Sequence, residues 1–217
     1  MKHGQSFKTM AITINGNGTL TGVSVGGLPD GIVDTDMLAN NAVTAAKATG
    51  SAKGITHARG YRTSANFTLA GSNWDTDITS NWEYQDETEA GIIGSGWSLP
   101  SSGIFSFPAT GIYRVAVVSL MYNANGVNVP YAGVEIQVTT NNSSYNARAV
   151  SYQGASDDLS DSRWYTAFTQ TLVDCTDTSN VKLKFKAYKN GNYGDVIFYG
   201  SNNTNGTCVQ FIRLGDT

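Results

Sequence analysis

The chain has 217 residues, which is enough for one sizeable domain and an appendage, and charged residues make up only 14% of it. Ordinary soluble domains carry about 25% charged residues, so this surface is polar but weakly charged. The formal net charge of -3 offers no attraction for a polyanion, which excludes nucleic acid as an expected partner. Membrane insertion is not expected either, because no apolar run approaches the roughly 18 residues that cross a bilayer.

The N-terminal part is a glycine-rich segment with a short predicted helix. Residues 11–25 contain apolar pairs separated by glycines, a pattern that cannot bury a core alone and needs a partner to become ordered. After a turn at residues 29–31, Asp34 or Thr35 is expected to cap a helix over residues 37–48. This small helix is expected to pack on copies of itself or on a docking protein.

The residue pattern changes after about residue 55, and the new pattern predicts an all-β domain. Short runs are separated by Gly, Asn, Asp and Ser clusters, which is typical of a sandwich or barrel. In residues 134–139 and 181–188, apolar and polar side chains alternate as in strands with one buried face. The other predicted strands cover residues 60–69, 112–122, 163–173, 195–199 and 207–214. These runs suffice for an antiparallel two-sheet jelly roll.

The run FSFPATGIYRVAVVSLMY, residues 105–122, is predicted to be a turn followed by the central strand. Pro108 and Gly111 favour the turn, and the strand begins at Ile112. Both faces of this strand are mostly apolar, although a strand of an antiparallel sheet ordinarily has one wet face. The second apolar face is expected to be covered by a neighbouring subunit or by a loop of the same chain.

Side chains suited to catalysis are sparse. His3 and His57 lie in or beside the N-terminal segment, so the β domain lacks the commonest general base and metal ligand. Cys175 and Cys208 match no metal or redox spacing, and two reduced thiols are favoured over a disulfide because folding in a cytoplasm is expected. We therefore expect no enzymatic activity, no cofactor and no metal.

Carboxylates cluster in two stretches of the predicted domain. Asn73, Asp75 and Asp77 have the alternate spacing of calcium loops, but the glycine and distal Glu of an EF-hand are missing, so a solvated acidic loop is favoured. The second cluster comprises Asp157, Asp158 and Asp161. Paired carboxylates of this kind could cleave a polysaccharide, which stays open as an alternative function.

Aromatic side chains offer a binding surface for sugars, because sugar rings stack on flat apolar faces. The candidates lie in or beside an Asn/Ser-rich region that is expected to form loops: Tyr145, Tyr152, Trp164 and Tyr165. The alternative is that Trp164 and Tyr165 belong to a strand and that one of them is a core residue.

A basic stripe runs along one predicted strand. Lys182, Lys184 and Lys186 alternate with apolar residues, so they share one face. Such a stripe could meet an acidic surface polysaccharide, but lysines more often protect an exposed strand from pairing with another chain. The protective role is favoured here.

Three motifs of the β domain, FSFPATGIYRVAVVSLM, VKLKFKAY and TCVQFIRL, together resemble the C1q/TNF-like jelly roll. In that family a segment with Phe, Pro, Gly and Tyr leads into a core strand, and a Phe-containing strand closes the domain. Domains of this family trimerise, so the resemblance implies a homotrimer. The matching or adjacent side chains expected at the oligomer interface are Tyr113, Val115, Val117 and Phe211.

Two motifs of residues 11–50, GTLTGVSVGGLPDG and DMLANNAVTAAK, are similar to leader segments of tail-fibre and other virion appendage proteins of bacteriophages, especially those of marine cyanobacteria. The resemblance implies that this segment docks on other virion proteins. The apolar side chains expected to make the attachment are Leu20, Val23, Val25, Leu28, Ile32, Met37 and Leu38.

The two resemblances imply a two-part chain, with residues 1–54 as attachment segment and linker and residues 55–217 as the head. The expected function is that of a short trimeric tail fibre or spike in the virion, assembled in the host cytoplasm. Host surface glycan is a candidate ligand of the head. Two alternatives remain: a capsid decoration or head-fibre protein without a receptor role, and a polysaccharide-cleaving tail spike.

Overall fold

The structure is a computed structural model that describes residues 54–85, 91–123, 127–154, 162–191 and 193–217, with two short strands nearer the N-terminus. The chain divides into two units, Met1–Ala48 and Thr49–Thr217. In the first unit, β1 (Thr13–Ile14) pairs with β2 (Leu20–Thr21) in antiparallel fashion. The predicted helix and the attachment residues other than Leu20 lie outside the described residues.

The described part of the second unit is all-β, which confirms the predicted fold class. Its strands in chain order are β3 (Ala58–Thr63), β4 (Phe67–Leu69), β5 (Asp75–Asp77), β6 (Trp82–Tyr84), β7 (Phe105–Ser106), β8 (Gly111–Asn123), β9 (Tyr131–Thr139), β10 (Asn146–Gly154), β11 (Arg163–Cys175), β12 (Lys182–Lys189), β13 (Val196–Phe198) and β14 (Thr207–Gly215). They form two antiparallel sheets whose inner faces enclose the core.

The seven-stranded sheet is organised around β8. Its order is β4-β13-β8-β14-β3-β6, and β11 pairs with the other edge of β8. The pairing of β8 with β11 runs without a register shift from Asn123 opposite Arg163 to Gly111 opposite Cys175. The five-stranded sheet has the order β10-β9-β12-β5, with β7 also beside β12. β8 is therefore the central strand of its sheet, as the sequence predicts.

The entry into β8 depends on a glycine. Gly111 has a φ of 140°, and a Cβ at this position would lie 2.5 Å from the carbonyl oxygen of Gly215. A side chain would therefore both strain the backbone and push β14 away from β8. The preceding Pro108 supplies the bend that the sequence predicts at this point.

The core between the sheets is built on aromatic rings. The ring of Phe105 lies 5.0 Å from that of Trp82, 5.2 Å from Phe185 and 5.5 Å from Phe211, measured between centroids. Phe105 and Phe185 belong to the five-stranded sheet, whereas Trp82 and Phe211 belong to the seven-stranded sheet, so two of these three contacts join the sheets. Aromatic contacts of this kind add to the stability that apolar burial supplies.

The side chains predicted at the oligomer interface lie in this core instead. Tyr113, Val115 and Val117 have no exposed surface in a single chain, and Phe211 is 1% exposed. The hydroxyl of Tyr113 donates a hydrogen bond to the carbonyl oxygen of Ala109 at 2.9 Å. Because one chain alone buries all four, they are not available to a neighbouring subunit, and the face of β8 that is open to a partner is the opposite one.

Two further expectations are settled by strand positions. β12 has partners on both sides, so Lys182, Lys184 and Lys186 do not protect an edge strand, and that prediction is wrong. Cys175 and Cys208 are both free, as the sequence analysis favours. Cys175 faces the core from β11, whereas Cys208 lies on β14 opposite Val118.

Candidate functional site

The outer face of the seven-stranded sheet carries a large apolar surface, interrupted by the hydrogen-bonded pair Arg114 and Gln170. Along β8 and β11 the even-numbered side chains point away from the core, because side chains alternate and the odd-numbered ones are inward. In register, Val118 lies between Phe168 of β11 and Cys208 of β14, and Arg114 lies between Leu172 and Ile212. We call this surface the β8 face. It comprises mainly Ala116, Val118, Leu120, Tyr122, Trp164, Phe168, Leu172 and Ile212.

One edge of the β8 face carries exposed apolar side chains. β11 pairs only with β8 among the described strands, so its other edge has no strand partner in the described part of the chain. Trp164, Phe168 and Leu172 on this strand are 55%, 50% and 64% exposed. A long edge strand with such side chains is prone to association, because both its backbone and its apolar groups lack cover.

The opposite edge of the β8 face holds an apolar pocket. It has a volume of about 350 Å³, and its lining includes the apolar side chains of Ala58, Ile92, Ile93 and Ile212 together with those of Arg59 and Gln210. Ile93 is fixed there by two backbone hydrogen bonds with Ala58, of 2.9 and 3.0 Å. Gln85 closes one wall, since its side chain occupies the position where Gly60 has no Cβ.

The outer face of the five-stranded sheet carries three tyrosines, which we call the tyrosine patch: Tyr131, Tyr152 and Tyr188. Tyr152 of β10 and Tyr188 of β12 both lie opposite Gly133 of β9. Their ring centroids are 5.0 Å apart, and Tyr131 lies 5.4 Å from Tyr152 and 6.3 Å from Tyr188. Burial raises the pKa of Tyr152 and of Tyr188, and neighbouring tyrosines and the carboxylate of Glu135 raise both further.

The charges beside the tyrosine patch are largely paired. Lys184 Nζ lies 2.5 Å from Asp77 Oδ2, and Lys186 Nζ lies 3.2 Å from Asp75 Oδ1. Lys182 donates instead to Ser106 Oγ and to the carbonyl oxygen of Thr178. Asp75 and Asp77 were expected in a solvated acidic loop, but they lie in strand β5, which pairs with β12, and their carboxylates hold lysines of β12.

The aromatic residues predicted to contact glycan are not brought together. Tyr165 is 8% exposed and belongs to the core, so its side chain is not available to contact a glycan. Trp164 lies on the β8 face. Tyr152 lies on the five-stranded sheet. Tyr145 lies immediately before β10 and packs beside Lys184, whose Nζ is 4.7 Å from the ring centroid.

Several surface residues were missed by the sequence analysis. Phe168 and Leu172 share the period-two pattern of β11 with Trp164, so an alternation count over residues 163–173 could have found them. Tyr131 and Tyr188 have no such local signal, because they meet Tyr152 only through the pairing of three strands.

Within the described ranges, no three His, Cys, Asp or Glu side chains are grouped so that they could hold a metal ion. Among the same residues there is no helix of the length and apolarity that a membrane crossing requires. The second carboxylate cluster lies outside the described residues: Asp157, Asp158 and Asp161. The polysaccharide-cleaving alternative therefore stays a prediction.

Comparison with known proteins identifies the fold. No family model matches the chain, and no curated protein matches it in sequence. The Eiger TNF of S. frugiperda superposes with a TM-score of 0.51 at 14% identity, covering 74% of this chain and 93% of that one. Murine APRIL at pH 5.0 gives 0.50 at 11% identity, covering 73% and 98%.

These likenesses define a class of architecture, the TNF-like jelly roll. The predicted C1q/TNF-like fold is thus confirmed for the β domain. At these identities the likeness concerns the fold alone, and the bacteriophage resemblance of residues 11–50 stays a prediction.

Proposed function

We propose that the chain is a non-enzymatic structural protein of a bacteriophage virion, a short homotrimeric fibre or spike. Residues 1–54 attach it to other virion proteins, and the jelly roll forms the head. The resemblance of residues 11–50 to leader segments of virion appendage proteins supports the virion assignment. The TNF-like fold of the β domain supports self-association. The chain is assembled in the host cytoplasm and resides in the virion.

The observation that carries self-association is the exposed β8 face. A single chain leaves Trp164, Phe168 and Leu172 half or more exposed on one strand. Each Å² of apolar surface removed from water contributes about 25 cal/mol, so covering this face would stabilise an assembly. We favour a second copy of the chain as the partner that covers the β8 face, because its two edges differ. One edge carries exposed apolar side chains of β11, and the other has an apolar pocket beside β3 and β14.

This difference between the two edges favours a head-to-tail contact. The exposed side chains of β11 in one copy would meet the pocket beside Ile93 in the next copy. Such heterologous contacts close into a ring when the rotation permits, and three copies is the number that the family resemblance implies. The five-stranded sheet takes no part in this contact and stays on the outside.

The test is the solution mass of the full chain by light scattering, with variants at both edges. We expect a trimer for the native chain and monomers for Phe168→Asp and Ile93→Asp, because each places a charge in the contact. The matched control is Val150→Asp, since Val150 is 44% exposed on the other sheet and should leave the trimer intact. A circular dichroism melt of each variant checks that it is folded.

Mixing the two monomeric variants tests the head-to-tail arrangement. Phe168→Asp chains keep an intact pocket and Ile93→Asp chains keep an intact β11, so one good contact can form between them and a ring cannot close. The expected species is a heterodimer. A monomeric native chain would overturn the proposed self-association. Dissociation by Val150→Asp but by neither of the other two variants would overturn the β8 face as the contact surface.

The virion assignment has its own test. Residues 1–54 fused to a fluorescent protein should copurify with phage particles produced in the same host, and the same fusion lacking residues 11–50 should not. Equal copurification of both fusions would overturn the attachment role.

A further inference from the structure

The tyrosine patch is an exposed aromatic surface that the proposed self-association does not use. Tyr152 is 45% exposed, and Tyr131 and Tyr188 are half-buried beside it. The rings of Tyr131 and Tyr188 are nearly parallel, with an interplanar angle of 11°, and the ring of Tyr152 is tilted by 40° to 46° to them. The three rings thus present apolar faces and edges in one place, with their hydroxyls beside them.

The floor of the patch is a glycine that the sheet requires. Gly133 lies between Tyr152 and Tyr188 in the register of β10, β9 and β12. A Cβ on this residue would collide with the carbonyl oxygen of Ser151. Gly133 therefore lets the backbone of β10 approach β9 closely, and the rings of Tyr152 and Tyr188 on either side of it have centroids 5.0 Å apart.

Polar groups of fixed position border the rings. Glu135 lies two residues from Gly133 on β9, and its carboxylate Oε1 accepts a hydrogen bond from Gln137 Nε2 at 2.5 Å. Lys186 lies opposite Glu135 in register and is paired with Asp75. The rim therefore offers a carboxylate and an amide as hydrogen-bonding groups and an ammonium already held by an aspartate.

We propose that the tyrosine patch binds an uncharged saccharide, with one sugar ring stacked on Tyr152 and hydrogen-bonded through its hydroxyls to Glu135, and the next ring hydrogen-bonded to Gln137. Sugars match this surface because one ring presents both an apolar C–H face and a rim of hydroxyls, as the patch presents apolar rings beside polar groups. An acidic polymer fits less well, since Lys184 and Lys186 are both paired with aspartates. The inference rests on the proposed function only in that the patch remains outside the assembly.

The experiment titrates the full-length chain with defined oligosaccharides and follows binding by calorimetry. The probes are uncharged tetrasaccharides of glucose, mannose and galactose, and one acidic tetrasaccharide. At least one uncharged probe should bind saturably. Tyr152→Ala should weaken binding about tenfold or more, which corresponds to about 1.4 kcal/mol, whereas Tyr152→Phe should weaken it less because the stacking face is retained.

The matched control is Leu99→Ala, which removes a side chain that is 49% exposed and belongs to neither the tyrosine patch nor the β8 face, and which should leave the affinity for the probe unchanged. Binding of the acidic probe alone, no binding of any uncharged probe, or equal affinity in Tyr152→Ala would each overturn the inference. The mass of each sample separates the two proposals. A monomer that binds sugar overturns only the trimer, and a trimer that binds none of the uncharged probes overturns only the saccharide site.

Discussion

Trp164 of β11 stacks on Tyr122 of β8, with ring centroids 4.4 Å apart and ring planes at 28°. The two residues are directly opposite in the strand register. Tyr199 also contacts the indole edge-on, with ring centroids 5.7 Å apart. Trp164 is nevertheless 55% exposed, so this stack is a rigid aromatic surface at one end of the β8 face rather than part of the core.

The exposure of Trp164 predicts a fluorescence signature of assembly. Its emission should lie further to the blue in the native oligomer than in the Phe168→Asp monomer, because a neighbouring copy removes water from the ring. Comparison with the same pair of chains carrying Trp164→Phe isolates this tryptophan from the other three. An identical spectral shift in the chains without Trp164 would assign the change to another tryptophan and contradict the prediction.

Truncation of the Phe105 side chain should destabilise the fold strongly. It contacts rings from four other strands or loops and is 1% exposed, so Phe105→Ala should lower the free energy of unfolding by about 3 to 5 kcal/mol. Urea unfolding followed by circular dichroism measures the loss. Tyr193→Ala is the control, since Tyr193 is 59% exposed and its truncation should change stability little. Equal losses in both variants would contradict this account of the core.

The sequence predicts the fold class because the signals for strands are local. The alternation in residues 134–139 and 181–188 corresponds to β9 (Tyr131–Thr139) and β12 (Lys182–Lys189), each with an inward apolar face. β10 (Asn146–Gly154) was expected to be loop, and the reason is physical. This strand is exposed along both faces for most of its length, so it has no apolar alternation to detect.

The candidate surfaces are harder to predict, because a periodic pattern does not say which face is inward. The sequence predicts that both faces of β8 are apolar, but Tyr113 and Val117, expected at the interface, lie in the core, and Val118 lies on the β8 face. Which face of β8 points inward depends on where β12 and β9 pack against it, and the local sequence carries no information about that packing. The tyrosine patch is harder still, since its members come from three strands and meet through register alone.

Two buried tyrosines should respond differently to the loss of the hydroxyl group. The Tyr113 hydroxyl donates to the Ala109 carbonyl, whereas the buried Tyr165 hydroxyl has no hydrogen-bond partner among the described residues. Tyr113→Phe should therefore cost about 1 kcal/mol of stability, and Tyr165→Phe should leave stability unchanged or raise it slightly. Urea unfolding of the two variants decides, and a loss in Tyr165→Phe as large as in Tyr113→Phe would show that the Tyr165 hydroxyl is bonded.

His57 predicts a pH dependence of stability. Desolvation by burial and, second, the positive charge of Arg213 lower the pKa of His57 below its ordinary 6.5. Its Nδ1 lies 3.1 Å from Thr56 Oγ1, and its ring lies 6.2 Å from that of Trp97. Above pH 6.5 the ring is neutral in both the folded and the unfolded chain. As the pH falls below 6.5, the unfolded chain takes up a proton more readily, so the free energy of unfolding should decrease.

Urea unfolding at pH 7.5 and pH 5.5 measures this effect, and His57→Gln is the matched variant because its side chain is polar but does not titrate. The native chain should lose more stability between the two pH values than His57→Gln does. His3 is present in both chains and cancels in the comparison. Parallel losses in the two chains would mean that His57 titrates alike in the folded and unfolded states, and that Arg213 and burial leave its protonation unaffected.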